Sequence, residues 1–163
     1  MKILVFSDTH GDTSAMKDIV SRNRYDTDLV IHLGDHYKDL EYVMSDFPTI
    51  ARIGVTGNCD YSFMYQNVKS EGTFTADKRR IFYTHGHKYN VKAGHDYIIS
   101  NAKFCGANVV LYGHSHISFF EEKNGVIVIN PGSLSFPRDG SQGTYAVLEI
   151  CGEKLKCEIK EKD

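Results

Sequence analysis

Five short hydrophobic runs in this 163-residue chain each stop at a cluster of side chains able to hold a metal ion. Leu4-Val5-Phe6 leads to Asp8 and His10, and the run from Leu29 to Leu33 leads to Asp35. Arg52 to Val55 leads to Asn58 and Asp60, Ile81 to Tyr83 to His85 and His87, and Val109 to Tyr112 to His114 and His116. Short β-branched and aromatic runs read as buried strands. In α/β sheets the loops leaving the carboxyl ends of strands converge on one crevice. Five such loops therefore predict one site at the strand ends, built from carboxylates, an amide and imidazoles.

Between these runs the first half alternates strand and helix. Strands are expected over Lys2 to Phe6, Leu29 to Leu33 and Ile50 to Val55, with helices around Thr13 to Arg22 and Lys38 to Phe47, a βαβαβ beginning. Asp12 or Thr13 can cap the first helix, whose Ala15, Met16, Ile19 and Val20 recur at helical spacing. The second half is richer in strands. A ribbon is expected from Val68 to Thr75 and Arg80 to Thr84, a helix near Gly94 to Phe104, a strand from Val109 to Tyr112, then two hairpins. Ile117 to Glu121 and Val126 to Ile129 flank Lys123-Asn124-Gly125, and Tyr145 to Ile150 and Leu155 to Ile159 flank Gly152-Glu153. A two-sheet β-sandwich flanked by helices, of mixed α/β (α+β) class, fits this order better than a purely parallel sheet.

The length predicts a single domain over 1–163, burying roughly 68–70% of its unfolded surface. A net charge of −2, from 19 basic and 21 acidic residues, leaves no electrostatic footprint for nucleic acid or an anionic membrane, so an anionic substrate has to be drawn by local charge. The apolar run after Met1-Lys2 is too short for a signal-peptide core or a membrane span, which predicts a cytoplasmic protein. In a reducing compartment the four cysteines, without CxxC spacing, are expected as free thiols: Cys105 in the core, Cys151 and Cys157 flanking a hairpin turn, Cys59 inside a ligand cluster.

Each cluster alone is weak, since Gly-Asp pairs and strand-end histidines also serve turns and packing. In order, Ser7-Asp8-Thr9-His10-Gly11, Gly34-Asp35, Gly57-Asn58-Cys59-Asp60, His85-Gly86-His87 and Gly113-His114-Ser115-His116 form a specific set. This set resembles the calcineurin-like metallophosphoesterase superfamily, especially its small single-domain bacterial and archaeal phosphodiesterases, from Lys2 through Asn130-Pro131-Gly132-Ser133.

The resemblance implies two divalent metal ions, one held by Asp8, His10, Asp35 and His116 and the other by Asp35, Asn58, His85 and His114, with Asp35 bridging. It also implies phosphodiester hydrolysis by a hydroxide held between the ions, without a covalent intermediate. The mixed oxygen and imidazole donors independently suit Mn²⁺, the first expectation, and also Ni²⁺, Fe, Zn²⁺ or Co²⁺. Two carboxylates against four positive charges leave the site locally positive, supplying the attraction that the net charge lacks.

Cys59 stands where many members of the superfamily carry a histidine that contacts the phosphoryl oxygen or assists the leaving group, and cations nearby favour its thiolate, which cannot donate a proton. The acid role then falls to metal-bound water or to His87, which on an extended segment points to the same side as His85. Asp60 is read either as orienting a loop or a ligand histidine, or as a turn residue. Arg138 is read as a phosphate-gripping group or as a solvated arginine. His36 is placed near the mouth, and His32 and His95 are assigned to structure.

A small-molecule phosphodiester is the expected substrate, because the chain is short and lacks a basic stripe. A phosphomonoesterase and a non-catalytic metal-binding scaffold, like the retromer scaffold subunit that shares the fold, are the alternatives. The aromatics at 61, 65, 89, 119, 120 and 136 fit a pocket rim, core packing or the contact of a homo-oligomer.

Overall fold

A computed structural model of the chain describes residues 1–61 and 65–162. Its first sheet is built on β1 (Lys2–Phe6), β2 (Leu29–His32) and β3 (Ala51–Gly54), which run parallel, with α1 (Thr13–Asn23) and α2 (Tyr37–Met44) as the crossovers. The second sheet contains β4 (Glu71–Ala76), β5 (Arg79–Thr84), β6 (Val109–Leu111), β7 (Ser118–Lys123) and β8 (Val126–Pro131), and α3 (Asp96–Phe104) connects β5 to β6. The last hairpin, β9 (Thr144–Cys151) and β10 (Lys154–Glu161), returns to the first sheet and pairs antiparallel with β1. The two five-stranded orders are β10-β9-β1-β2-β3 and β4-β5-β6-β8-β7, both mixed. This is the expected helix-flanked sandwich.

Strand periodicity divides the apolar side chains between the faces. Ile3 and Val5 of β1, Val109 and Leu111 of β6, and Ile127 and Ile129 of β8 share the cluster between the sheets. Their alternates Leu4 and Phe6 pack with Met16, Ile19 and Val20 of α1 and with Leu40 and Val43 of α2. Val110, Val126 and Val128 pack with Ile98, Ile99 and Ala102 of α3 on the opposite face.

Several boundaries move for local reasons. The second helix stops at Met44 rather than Phe47, because Pro48 disfavours helical geometry at the residue before it. β4 begins at Glu71 rather than Val68, whose N–H is bound instead to the carbonyl of Tyr65 in a turn. In the first hairpin the loop is only Asn124-Gly125, both at positive φ, with Lys123 paired to Val126; Asn-Gly supports such a tight turn. Cys105 is not core: it is half-buried at the C-terminus of α3. Cys151 ends β9 beside the turn, whereas Cys157 lies within β10 opposite Leu148. All four cysteines are free thiols. Among the described residues no helix is long and apolar enough to cross a membrane.

Candidate metal centre

The parallel strands β1, β2 and β3 of one sheet and β5 and β6 of the other deliver their following loops to one edge of the sandwich, as the five-run pattern predicts. The backbone there is unusual. Of nine non-glycine residues at positive φ among the described residues, six are Asp8, His10, Asp35, His36, His114 and His116. Such a conformation costs on the order of 1–2 kcal/mol per residue and persists only where the surroundings over-determine it. Here it turns side chains inward directly at the strand ends. Glycine allows the close approach: a Cβ on Gly57 would strike the Asp35 carboxylate, and one on Gly113 would strike Ser7 Oγ.

The ligand atoms of Asp8, His10, Asp35 and His116 lie within 4.8 Å of one another. His116 Nε2 is 3.1 Å from Asp8 Oδ1, yet Asp8 Oδ1 is buried without a well-directed hydrogen bond. His116 Nδ1 sits 2.7 Å from the carbonyl of Phe136, which can only accept, so the ring hydrogen is on Nδ1 and the Nε2 lone pair faces the carboxylate. Two acceptors facing each other at that distance call for a proton or a cation between them. Consistently, the Asp8 carboxylate raises the pKa of His116 against the opposing effect of burial. His10 Nε2 is likewise buried without a partner, 4.0 Å from Asp35 Oδ2. Oxygen and imidazole donors converging on orphaned acceptors fit a divalent cation.

The second set is looser. His85 Nδ1 lies 2.7 Å from the Leu33 carbonyl, which leaves Nε2 facing Asn58 Oδ1 at 3.2 Å and Asp35 Oδ1 at 3.4 Å. His114 stands beside it, with ring centroids 5.1 Å apart, and burial first and then His85 and Lys92 lower its pKa to about 4. A neutral imidazole is the form that can ligate. Asn58 is exposed and His114 half-buried, whereas Asp8 and Asp35 are buried. All seven expected ligands are thus brought to one place, four tightly and the others loosely.

The neighbours behave less uniformly. Among the described residues no hydrogen bond joins Asp60 to a histidine side chain. Its Oδ1 accepts from the backbone N–H groups of His36 at 3.0 Å and Tyr37 at 2.8 Å, and its Oδ2 from Gly57 N–H at 2.8 Å. It clasps the Asn58 loop to the Asp35 loop and caps the start of α2, whose own N-terminal residue makes no side-chain cap. The thiol of Cys59 is pushed up to about 11 by partial burial and then by Asp35, so the protein's own groups favour the thiol and any thiolate character must come from bound cations. The chain after His85 is not extended, because Gly86 at φ 102° starts a 3₁₀ turn over His87–Tyr89. The His87 ring still lies 5.3 Å from that of His85, with its Nδ1 buried and unpartnered. Arg138 is exposed, and its backbone N–H bonds the carbonyl of His116 at 2.8 Å. His36 flanks His10, ring centroids 5.2 Å apart, at the mouth, and His95 bonds the Tyr112 hydroxyl at 2.6 Å.

His32 has more to do than packing alone. Thr9 Oγ1 donates to Asp39 Oδ2 at 2.7 Å, so toward His32 Nε2, 2.9 Å away, it must accept; His32 Nδ1 then accepts from Gly34 N–H at 3.2 Å. Burial lowers the pKa of His32 to about 4, which leaves it in the neutral form this chain of bonds requires. Asp39 also accepts from Gly11 N–H at 2.7 Å. The Asp8–His10 loop is thereby tied to the Asp35 loop. Ser133 and Ser135 fasten it from the other side through the carbonyls of Asp8 and Thr9. Neither Asp39 nor the two serines stood out in the sequence as site residues. No helical spacing marked Asp39, because Asp35 and His36 lie at positive φ ahead of α2.

Comparison with known proteins matches residues 1–153 to the calcineurin-like phosphoesterase superfamily domain. The probable metallophosphoesterase YsnB of Bacillus subtilis is 34% identical over 151 residues, 92% of this chain and 85% of that protein. The phosphodiesterase MJ0936 of Methanocaldococcus jannaschii is 31% identical over 147 residues, 81% of this chain and 83% of that one. A crystal structure of a predicted phosphoesterase from Streptococcus pneumoniae superposes with a TM-score of 0.79 at 26% identity, covering 97% of this chain and 87% of the other. The chain belongs to the calcineurin-like phosphoesterase superfamily.

Proposed function

We propose that this protein is a metal-dependent phosphodiesterase acting on a small-molecule phosphodiester. The observation that carries the reading is the convergence of Asp8, His10, Asp35 and His116, with ligand atoms within 4.8 Å of one another and two of those atoms buried without a hydrogen-bond partner. These four would hold one divalent ion and Asp35, Asn58, His85 and His114 a second, with Mn²⁺ the first expectation from the donor set. When bound, two such ions supply an activated water and neutralise the charge that grows on an attacked phosphoryl group.

The chain's own residues prepare that chemistry. Asp35 belongs to both sets, so its two carboxylate oxygens fix the sets relative to each other. The carbonyls of Phe136 and Leu33 lock the tautomers of His116 and His85, so neither ring has to reorganise to present Nε2. Asp60 holds the Asn58 loop in register, His87 would serve as the acid toward the leaving group, and Arg138 would supply a fork of donors for substrate oxygens. Cys59, as a thiol, lies in the same loop directly after Asn58. The phosphodiesterase named among the relatives supports the diester over the monoester.

Hydrolysis of bis(p-nitrophenyl) phosphate by chelator-stripped protein, before and after addition of Mn²⁺ and with Asp35→Asn as the matched control, tests the reading. Turnover restored by metal and absent in the variant is expected. Stoichiometric metal binding with no diester turned over would replace the enzyme with a scaffold, and faster hydrolysis of p-nitrophenyl phosphate would replace the diesterase with a monoesterase.

A further inference from the structure

Beside the metal centre lies a pocket of about 310 Å³ with an apolar lining of Val91, Ile117, Phe119 and Tyr112. It borders the centre through shared chain: Ser115 in its wall stands between His114 and His116, and the backbone N–H of Arg138 at its rim donates to the carbonyl of His116 at 2.8 Å. The volume is at the lower end of the roughly 300–1,000 Å³ of small-molecule pockets, room for one ring-bearing fragment rather than a whole dinucleotide. The ring of His95 lies 4.4 Å from that of Phe119, centroid to centroid, and its hydrogen bond to Tyr112 fixes it there. The wall is thus a preset aromatic surface on which a flat ring can stack.

The rim has a second character. Lys92 and Arg138 both line the pocket and are exposed, and among the described residues neither charged head has an ion-pair or hydrogen-bond partner. Other cations nearby are engaged: Lys123 holds Asp96 at 2.6 Å, which also removes the acidic neighbour of His95. Glu121 is the remaining carboxylate toward His95 and does not line the pocket. Two free cations over an aromatic wall, on a chain of net charge −2, form a local anion-recognising rim.

We infer, on the basis of the phosphodiesterase reading, that this pocket seats the ring of one ester arm while Lys92 and Arg138 take a second phosphate carried on that arm, so that the preferred substrates are linear diesters with a phosphorylated nucleoside arm. A cyclic nucleotide has no second phosphate to offer these cations.

The test compares kcat/KM, in the presence of Mn²⁺, on 5′-phosphorylated diadenylate (pApA), on the same dinucleotide without the 5′-phosphate, and on bis(p-nitrophenyl) phosphate. A preference of about tenfold for the phosphorylated dinucleotide is expected, the size of one charge-assisted hydrogen bond. Lys92→Glu, on an exposed position, brings that ratio to one or below. Phe119→Leu raises KM for both dinucleotides and leaves the ratio intact, which a merely destabilised protein would not do selectively against bis(p-nitrophenyl) phosphate. Equal rates on the two dinucleotides, or a preference that survives Lys92→Glu, with bis(p-nitrophenyl) phosphate still hydrolysed, overturns the pocket alone. Failure to hydrolyse any of the three diesters in the presence of Mn²⁺ overturns the diesterase reading and the pocket's role as its subsite together.

Discussion

The two candidate ligand sets share Asp35 but are built differently. Asp8, Asp35 and His116 are buried, and with His10 they gather their donor atoms within 4.8 Å. Their loops are fastened from both sides, by Asp39, Thr9 and His32 on one and by Ser133 and Ser135 on the other. The set completed by Asn58, His85 and His114 has one buried imidazole, an exposed amide and a half-buried histidine. Its Asn58 loop is held by the Asp60 clasp and by Cys59 N–H on Asp35 Oδ1 at 2.8 Å. The difference teaches that preorganisation follows the buried supporting bonds: the first set is closely gathered by the chain's own contacts, and the second is not.

The comparison breaks most completely at the shared residue. Asp35→Asn is expected to abolish both steps of a calorimetric Mn²⁺ titration and to lower diester turnover more than about 100-fold, beyond the range seen for outer partners of a metal site. A variant that keeps one normal binding step would show that the sets do not depend on a common carboxylate.

Removing one private ligand from each set sharpens the contrast. His116→Ala should eliminate the tighter Mn²⁺ step, whereas His114→Ala should spare it and weaken the other, with the two wild-type steps at least about tenfold apart, or about 1.4 kcal/mol. Equal affinities in the wild-type titration would remove the distinction between a closed and an open half.

The support network should come next in size. Thr9→Val keeps the shape of the side chain but leaves Asp39 and His32 without their shared hydroxyl, so Mn²⁺ affinity of the closed set is expected to fall about 10–100-fold while the open set is little affected. The same variant should lose about 1–3 kcal/mol in urea unfolding, from the buried groups left unpaired. Unchanged affinity would reduce the network to packing.

The smallest effect lies outside both sets. Asp139 accepts from the N–H and hydroxyl of Ser118 and from Ser141 N–H; burial alone would raise its pKa, but these donors hold it well below the usual carboxylate range. Because the folded pKa is depressed, its contribution is complete above the unfolded value near ~4 and is lost as pH falls toward the folded one. Asp139→Ala is expected to cost about 1 kcal/mol at neutral pH, solvent exposure limiting the figure, and to flatten the acid side of a stability profile. An unchanged Mn²⁺ titration in this variant would set the baseline for the other four.

Much of this was legible beforehand because it depends on short-range pattern. Short β-branched and aromatic runs marked every strand within a few residues, and Asn124-Gly125 marked its hairpin through the positive φ that those two residues tolerate. The seven candidate ligands were legible because each follows a strand within a few residues, and the resemblance assigned them to two sets. His87 and Asp60 were less so. Gly86 redirects the chain after His85, and whether a carboxylate meets an imidazole or three backbone N–H groups depends on which loops are adjacent in space.

By itself the sequence determined the strand ends and the donor types, since apolar periodicity and side-chain chemistry are local properties of the chain. Only the tertiary structure decided that four donors close tightly while three stay loose, that His32 joins two ligand loops, and that Lys92 and Arg138 share a pocket. Those outcomes depend on contacts between segments far apart in the chain, such as Ser133 with Asp8 and Arg138 with His116, and no local pattern encodes the distance between them.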